Sequence, residues 1–344
     1  MKRCENNFRT AARRTFVAAL AAFAGPDALA GLFEDIDPHT ALQGSAEVRM
    51  QEGRRYDGEL AGLSDGYLSV VVFDGAGEVE YSLPVDKIEE LRFPGSEVRR
   101  AALEMYQNHQ YEEALPFLEA IYRQRASYLP LLDAKQKEAV VALPEAYTEA
   151  GNLIDAVGVS RGLLERIEDE GHRRRLEALV LTGYFRLELF ERTAREAREW
   201  CARQDLYPES ALGWTLLAEI KLRKNRHKEA LWIALQPISF STARRMDYLE
   251  RAYAAAIHSS FALEDEEKGF RLFQEMKARR LTWPDGIREY AATRKFFQEM
   301  QAVAEKQDGN GIAEDYDIDT RPAREDLNLP LRDVRKLLLA LPDE

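Results

Sequence analysis

Trp214-Thr215-Leu216-Leu217-Ala218, followed after a short gap by Asn225-Arg226-His227-Lys228-Glu229-Ala230-Leu231, decides the fold of this 344-residue chain. Apolar residues recur at helical spacing on both sides of a short polar break, so two helices are expected, with Ala218 and Ala230 where they approach most closely. The two small residues lie twelve positions apart. The same spacing returns at Ala102/Ala114, Pro144/Ala156 and Ile257/Gly269, and at Gly183/Ala194 with one residue fewer. Successive Ala114, Ala156, Ala194, Ala230 and Gly269 are 42, 38, 36 and 39 residues apart. Helical pairs repeated at that period bury their apolar faces only against neighbours, which makes a stacked array.

The aromatic, leucine, small-residue and turn positions of Trp214-x-x-Leu217-Ala218 and Asn225-Arg226-His227-x-x-Ala230 resemble the tetratricopeptide repeat family. The resemblance covers residues 96–306. It implies a mostly α fold, a superhelix whose concave face is lined by the first helix of each pair, and a non-catalytic scaffold that binds a protein or peptide segment. Trp214, Leu217, Ala218, Ala230 and Leu231 are then core, with Trp232 and Tyr253 packed as well. The groove is expected to be lined by Tyr106, Gln107, Glu145, Glu149, Tyr184, Glu188, Glu219 and Arg223. Its carboxylates make it acidic and suit a cationic or mixed segment. Gly269-Phe270-Arg271-Leu272-Phe273-Gln274-Glu275-Met276-Lys277 also resembles a pentatricopeptide repeat, a family that binds single-stranded RNA. One such copy in an acidic chain is read as a divergent tetratricopeptide pair, because RNA binding depends on Lys and Arg.

Residues 45–95 differ in kind. Gln51-Glu52-Gly53, Ser64-Asp65-Gly66 and Asp74-Gly75-Ala76-Gly77 are turn signals. They separate strands expected at Ala46–Met50, Arg55–Leu63, Tyr67–Phe73, Val79–Leu83 and Ile88–Phe93, a small five-stranded β-barrel braced by the helices that follow. Val48-x-Met50-x-x-Gly53-x-x-Tyr56-x-Gly58-x-Leu60-x-x-Leu63 resembles the first half of the Sm-like barrel, and an SH3-like barrel has the same pattern. The Sm family's uridine-contacting Asp and Asn are replaced by Ser64 and Leu68, and its Arg-Gly pair is missing near Val85–Ile88. The resemblance therefore concerns fold. RNA binding through barrel and repeats is the alternative function, and it requires a chain that is not exported.

The first thirty residues carry a basic stretch (Lys2, Arg3, Arg9, Arg13, Arg14), an apolar run from Phe16 to Ala24 and the small-residue site Ala28-Leu29-Ala30. A signal peptide over 1–30, a linker over 31–44 and a periplasmic or envelope location are expected. Arg13-Arg14 suits twin-arginine as well as Sec export. No stretch reaches the roughly 20 apolar residues that span a bilayer. The net charge of −12 opposes nucleic acid as partner. Cys201, the one cysteine after the leader, stands beside Trp200 in an apolar stripe and is expected to be a buried structural thiol.

Residues 307–344 are expected to form an acidic linker and a C-terminal helix that caps the array or meets a partner. Asp315, Asp317, Asp319 and Asp326 have the spacing of a calcium loop, but Thr320 stands where that loop needs Gly. No catalytic residue, metal ligand set or cofactor motif is expected: the five histidines form no ligand-spaced pair, and no G-x-S-x-G is present.

Overall fold

The computed structural model describes residues 37–73, 75, 77–203, 210–240 and 246–284. The expected leader and the C-terminal segment with its acidic repeat lie outside the described residues. A short helix, α1 (Pro38–Ala41), leads into β1 (Ala46–Met50), β2 (Arg55–Ser64), β3 (Tyr67–Phe73), β4 (Glu78–Pro84) and β5 (Ile88–Arg92). These form one antiparallel sheet in the order β4-β3-β2-β1-β5. Every strand lies within a residue of its expected limits.

β2 belongs to two ladders. Its first half, through Gly58, pairs with β1, and from Glu59 onward it pairs with β3, with an irregularity between Leu60 and Gly62. A strand can turn from one partner to another only where the backbones come close, and Gly58 is that place. A Cβ there would stand 2.3 Å from the carbonyl oxygen of Val71. Asp65 and Gly66 both have positive φ, 51° and 78°, as a two-residue hairpin of matching twist requires.

The helices are α2 (Ser96–Gln107), α3 (Tyr111–Arg125), α4 (Ala134–Glu149), α5 (Leu153–Leu164), α6 (Glu170–Arg186), α7 (Phe190–Arg203), α8 (Ala211–Arg223), α9 (His227–Phe240), α10 (Met246–Ala262) and α11 (Glu266–Ala278). The three-residue turn after each of α2, α4, α6, α8 and α10 has a left-handed residue at its centre: His109, Gly151, Glu188, Asn225 and Glu264. In four of these turns the next N–H closes back on the helix: Gln110 donates to Met105, Asn152 to Tyr147, Arg226 to Lys221 and Asp265 to Ser260, at 2.9, 2.8, 2.9 and 3.0 Å. This is the Schellman closure, which satisfies carbonyls left over at a helix end. One device therefore sets the entry into four of the five second helices.

Counting from these turns corrects the register of the third copy. The fourth residue of each second helix is Ala114, Ala156, Thr193, Ala230 or Gly269, and all five are buried. The sixth residue from the end of each first helix is Ala102, Pro144, Leu181, Ala218 or Ile257. The third copy thus has Leu181 and Thr193 at these two positions of its own helices, with the spacing of twelve kept, rather than Gly183 and Ala194. Ala194 is partly exposed, and Gly183 answers a different contact: a Cβ on it would lie 2.4 Å from Cγ2 of Val157 in α5. The sequence pattern favoured the smallest residues, but Thr193 fits because its hydroxyl donates to the carbonyl of Leu189 at 2.9 Å.

The chain divides into two compact units at Leu187/Glu188. In the first, the inner face of the sheet and the helices share one core: Val48, Leu68, Val70 and Leu91 join Leu129, Val140, Val141, Leu163 and Leu176. Gln136 ties the two parts together, completing a capping box with Asp133 at the start of α4 and donating to the Leu91 carbonyl of β5 at 3.1 Å. The packing boundary therefore falls within the helical array and not at residue 95. In the second unit α8 is buried from Ala211 to Leu222. Trp214, Leu217, Ala218, Ala230, Leu231 and Tyr253 are core as expected, whereas Trp232 is partly exposed.

Two glycines on facing helices should respond in opposite directions. Gly183→Ala drives a methyl into Val157 and is expected to cost about 1–3 kcal/mol, whereas Gly158→Ala, with open space around it, should gain about 0.5–1 kcal/mol of helix stability. Urea unfolding of the two variants, read at the midpoint with unchanged slope, checks both signs.

Candidate functional site

The expected groove residues are side chains that apolar packing leaves over on the first helices. In the first unit most of them are occupied by an arginine. Arg175 of α6 donates from Nε to Glu145 and from Nη1 to Glu138, both on α4, at 2.7 Å, and from Nη2 to the hydroxyl of Tyr106 on α2 at 2.6 Å. His172, one turn earlier, places Nε2 3.4 Å from Glu138. Burial works against the charge of Arg175, but Glu145 and Glu138 outweigh it and hold the guanidinium above its ordinary pKa. Burial raises the Tyr106 phenol, against the pull of Arg175, so it stays protonated and neutral.

The remaining groove candidates separate by exposure. Gln107 and Glu149 are exposed at the ends of α2 and α4. Tyr184 is a correction: it is 2% exposed, packs with Val157 and Val180, and its hydroxyl accepts from Arg161 of α5 at 3.0 Å. Glu219 is another: it is 3% exposed and is gripped by both ends of the Arg251 guanidinium from α10, at 2.8 and 2.5 Å. A buried carboxylate with two charge-assisted hydrogen bonds is a fixed part of the helix contact.

The two arginine pairs are one device used twice. Glu145 and Glu219 each lie four residues before the end of their helix, and Arg175 and Arg251 each lie eleven before the end of the next first helix. Neither arginine is among the eight groove candidates, which took Arg223 as their one cation. The shared position of Arg and Glu relative to the turns was the signal that could have found them.

An open pocket lies in the second unit, at the turn ends of its helices. Phe190 at the start of α7, Leu222 and Arg223 at the end of α8, Asn225 in the turn and His258 of α10 line a pocket of about 440 Å³. Asn225 stands outward because its left-handed φ of 55° is set by the turn, a conformation that asparagine tolerates better than most residues. The Arg223 guanidinium lies 4.8 Å from the centre of the Phe190 ring, within cation–π range. It is also 3.5 Å from the carboxylate of Glu188, whose side chain is 74% exposed. His258 stands ring against ring with His227, centroids 5.8 Å apart. Of the eight groove candidates, Glu188 and Arg223 are thus brought together beside this pocket. Phe190, Asn225 and His258 were not foreseen, because nothing in their local pattern marks them.

The lining supplies an apolar wall, a cation, an amide that can donate and accept, and an imidazole. That is a set for recognition by shape and hydrogen bonding. Among the described residues no group of three or more His, Cys, Asp or Glu is placed to hold a metal ion, and no helix is long and apolar enough to cross a membrane. Cys201 is buried, as the sequence suggested, with its sulfur 3.7 Å from the Ser210 carbonyl, and burial pushes the thiol pKa up. Its space is made by Gly213, where a Cβ would come within 2.5 Å of the sulfur.

No family model matches the chain, and no curated protein matches it. Among solved structures, it is similar to a Podosopora anserina kinesin light chain of nearly identical tetratricopeptide-like repeats, at 16% identity and a TM-score of 0.40 over 53% of this chain and 92% of that one. It is also similar to MamA of MSR-1, at 14% identity and a TM-score of 0.36 over 53% of this chain and 96% of that one.

Proposed function

We propose that this chain is a non-catalytic scaffold that is exported to the bacterial envelope and binds a segment of another protein at the Phe190–His258 pocket. The observation that carries this reading is the pocket's make-up: an apolar floor of Leu222 and Phe190 ringed by Arg223, Asn225 and His258, at the ends of buried helices. An apolar side chain of the partner sits on Phe190 and Leu222, and its backbone exchanges hydrogen bonds with Asn225. Glu188 is the carboxylate available to a partner's Lys or Arg, because its contact with Arg223 is long and exposed and such pairs are worth little. The cationic partner thus meets one exposed carboxylate here and not a continuous acidic groove. The sheet, with its doubly paired β2 and a 3-10 turn at Val85–Lys87 before β5, is read as a small Sm-like or SH3-like barrel. The net charge of −12 favours protein over RNA as the partner.

A photo-crosslinking residue placed at Asn225 of the full chain, in its native host, is expected to capture one discrete protein, and Phe190→Ala to reduce that adduct about tenfold or more, as for an aromatic anchor. The same residue at Gln107 or Glu149 should capture nothing. An adduct from those positions and none from Asn225 would move the site to the first unit and end this reading.

Export is tested separately. The intact mass of the protein purified from its host should correspond to a chain beginning at Gly31. A chain retaining Met1 would contradict export and restore RNA as a candidate.

A further inference from the structure

β4 (Glu78–Pro84) stands at one end of the sheet order β4-β3-β2-β1-β5, so among the described residues one side of its backbone meets no neighbouring strand. It pairs with β3 over seven residues, from Tyr67↔Pro84 to Phe73↔Glu78, without a bulge. Its first five residues, Glu78 to Ser82, are all exposed. Folded chains usually blunt such an edge with Lys, Pro, a bulge or a short strand. In β4 the one proline is the last residue, and there is no lysine.

The side chains of this edge alternate in kind. Val79, Tyr81 and Leu83 share the inner face of the sheet, because they stand opposite Val72, Val70 and Leu68. Leu83 is buried, whereas Val79 and Tyr81 are each 38% exposed. The Tyr81 ring rests against that of Tyr56, centroids 5.0 Å apart. Glu78 and Glu80 take the outer face, and Glu59 of β2 lies in the row of Glu80, on the far side of Val71. None of these three carboxylates has an ion-pair partner among the described residues. The opposite edge differs: on β5, Glu89 and Glu90 are matched by Arg49 and Arg92.

We propose that β4 is an acceptor edge for an extended segment of another protein in which Lys or Arg alternates with apolar residues. The segment adds a sixth strand through its main chain. Its cations, two residues apart, stand opposite Glu78 and Glu80, and the apolar side chains between them cover Val79 and Tyr81. Charge selects this occupant over a second copy of the chain. Pairing β4 with itself would set Glu78 and Glu80 beside the same residues of the copy, and like charges on paired strands repel. The β5 edge of a second copy brings Glu89 and Glu90, whose arginines are already engaged. The edge lies in the first unit, and the proposal is independent of the Phe190–His258 pocket.

The probe is a synthetic heptapeptide that alternates Lys and Val, titrated into the full chain at low salt and followed by amide NMR. Saturable shifts are expected along β4, with slower exchange of the amides of Val79 to Ser82. The double variant Glu78→Lys with Glu80→Lys, altered only at exposed side chains, should bind this peptide about tenfold more weakly or less and should take up a Glu–Val peptide instead. Two further peptides separate strand addition from general attraction to an acidic chain. One has the same composition with its lysines and valines in two blocks, and the other is N-methylated at every peptide nitrogen and cannot donate to a ladder. Each should bind about tenfold more weakly. Glu112→Lys with Glu113→Lys, exposed on α3, should leave the affinity within about twofold. No saturable binding at millimolar peptide would overturn the proposal. So would equal binding by the block peptide, the N-methylated peptide or the β4 double variant, and Glu78 and Glu80 would then be guards against edge pairing. Self-association of the parent that the β4 double variant abolishes would overturn it in favour of a second copy.

Discussion

A five-stranded sheet of about fifty residues cannot enclose a core of its own, and everything in the first unit follows from that shortage. A domain of this size buries too small a fraction of its surface to offset chain entropy. Here the deficit is met by side chains from elsewhere in the chain. Leu129, Val140, Val141, Leu163 and Leu176, all at most 1% exposed, fill the space over Val48, Leu68, Val70 and Leu91. Each such side chain contributes about 1.5–3 kcal/mol by leaving water. Two polar links fix the angle of approach: Tyr128 donates to the Leu60 carbonyl at 3.3 Å and Gln136 to that of Leu91. The sheet and the first helical pairs are therefore one folding problem, although they differ completely in local pattern.

The helices solve their own problem by repetition. A three-residue turn with a left-handed centre leaves little freedom in the crossing of the two helices it joins, so small residues recur where the helices touch. Four of the five centres carry a residue other than glycine, each at a cost of about 1–2 kcal/mol. At His109, Asn225 and Glu264 that strain is tolerated because the closing hydrogen bond and the packing behind it over-determine the conformation. At Asn225 the same constraint has a second use, since it holds an amide at the rim of the pocket.

Most of the fold was legible because it is written in local chemistry. Strand limits follow from alternating burial and Gly-containing turns, and helix pairs follow from small residues at fixed spacing. The third copy departs from expectation because Gly183 and Ala194 are smaller than Leu181 and Thr193, and only the turn position separates the two choices. The site was far less legible. Tyr184 and Glu219 looked available because their partners, Arg161 and Arg251, are charged side chains that a hydrophobic pattern assigns to solvent. The pocket draws Phe190, Asn225 and His258 from separate stretches, and their proximity is a property of packing with no trace in any one of them. Arginines serve in two ways: Arg175 and Arg251, partly buried, lock neighbouring first helices by meeting carboxylates, while the fully buried Arg125 meets none among the described residues.

The central claim, that the sheet is held by the helical core, is tested most directly by native-state hydrogen exchange of the full chain. If the claim is right, the slowest amides of β1 and β3, such as those of Val48 and Val70, share one opening free energy with those of α4, and Val141→Ala lowers both sets by the same amount. Sheet amides that open at a distinctly lower free energy than α4, and do not respond to Val141→Ala, would mean that the strands form a separate unit and that the account is wrong.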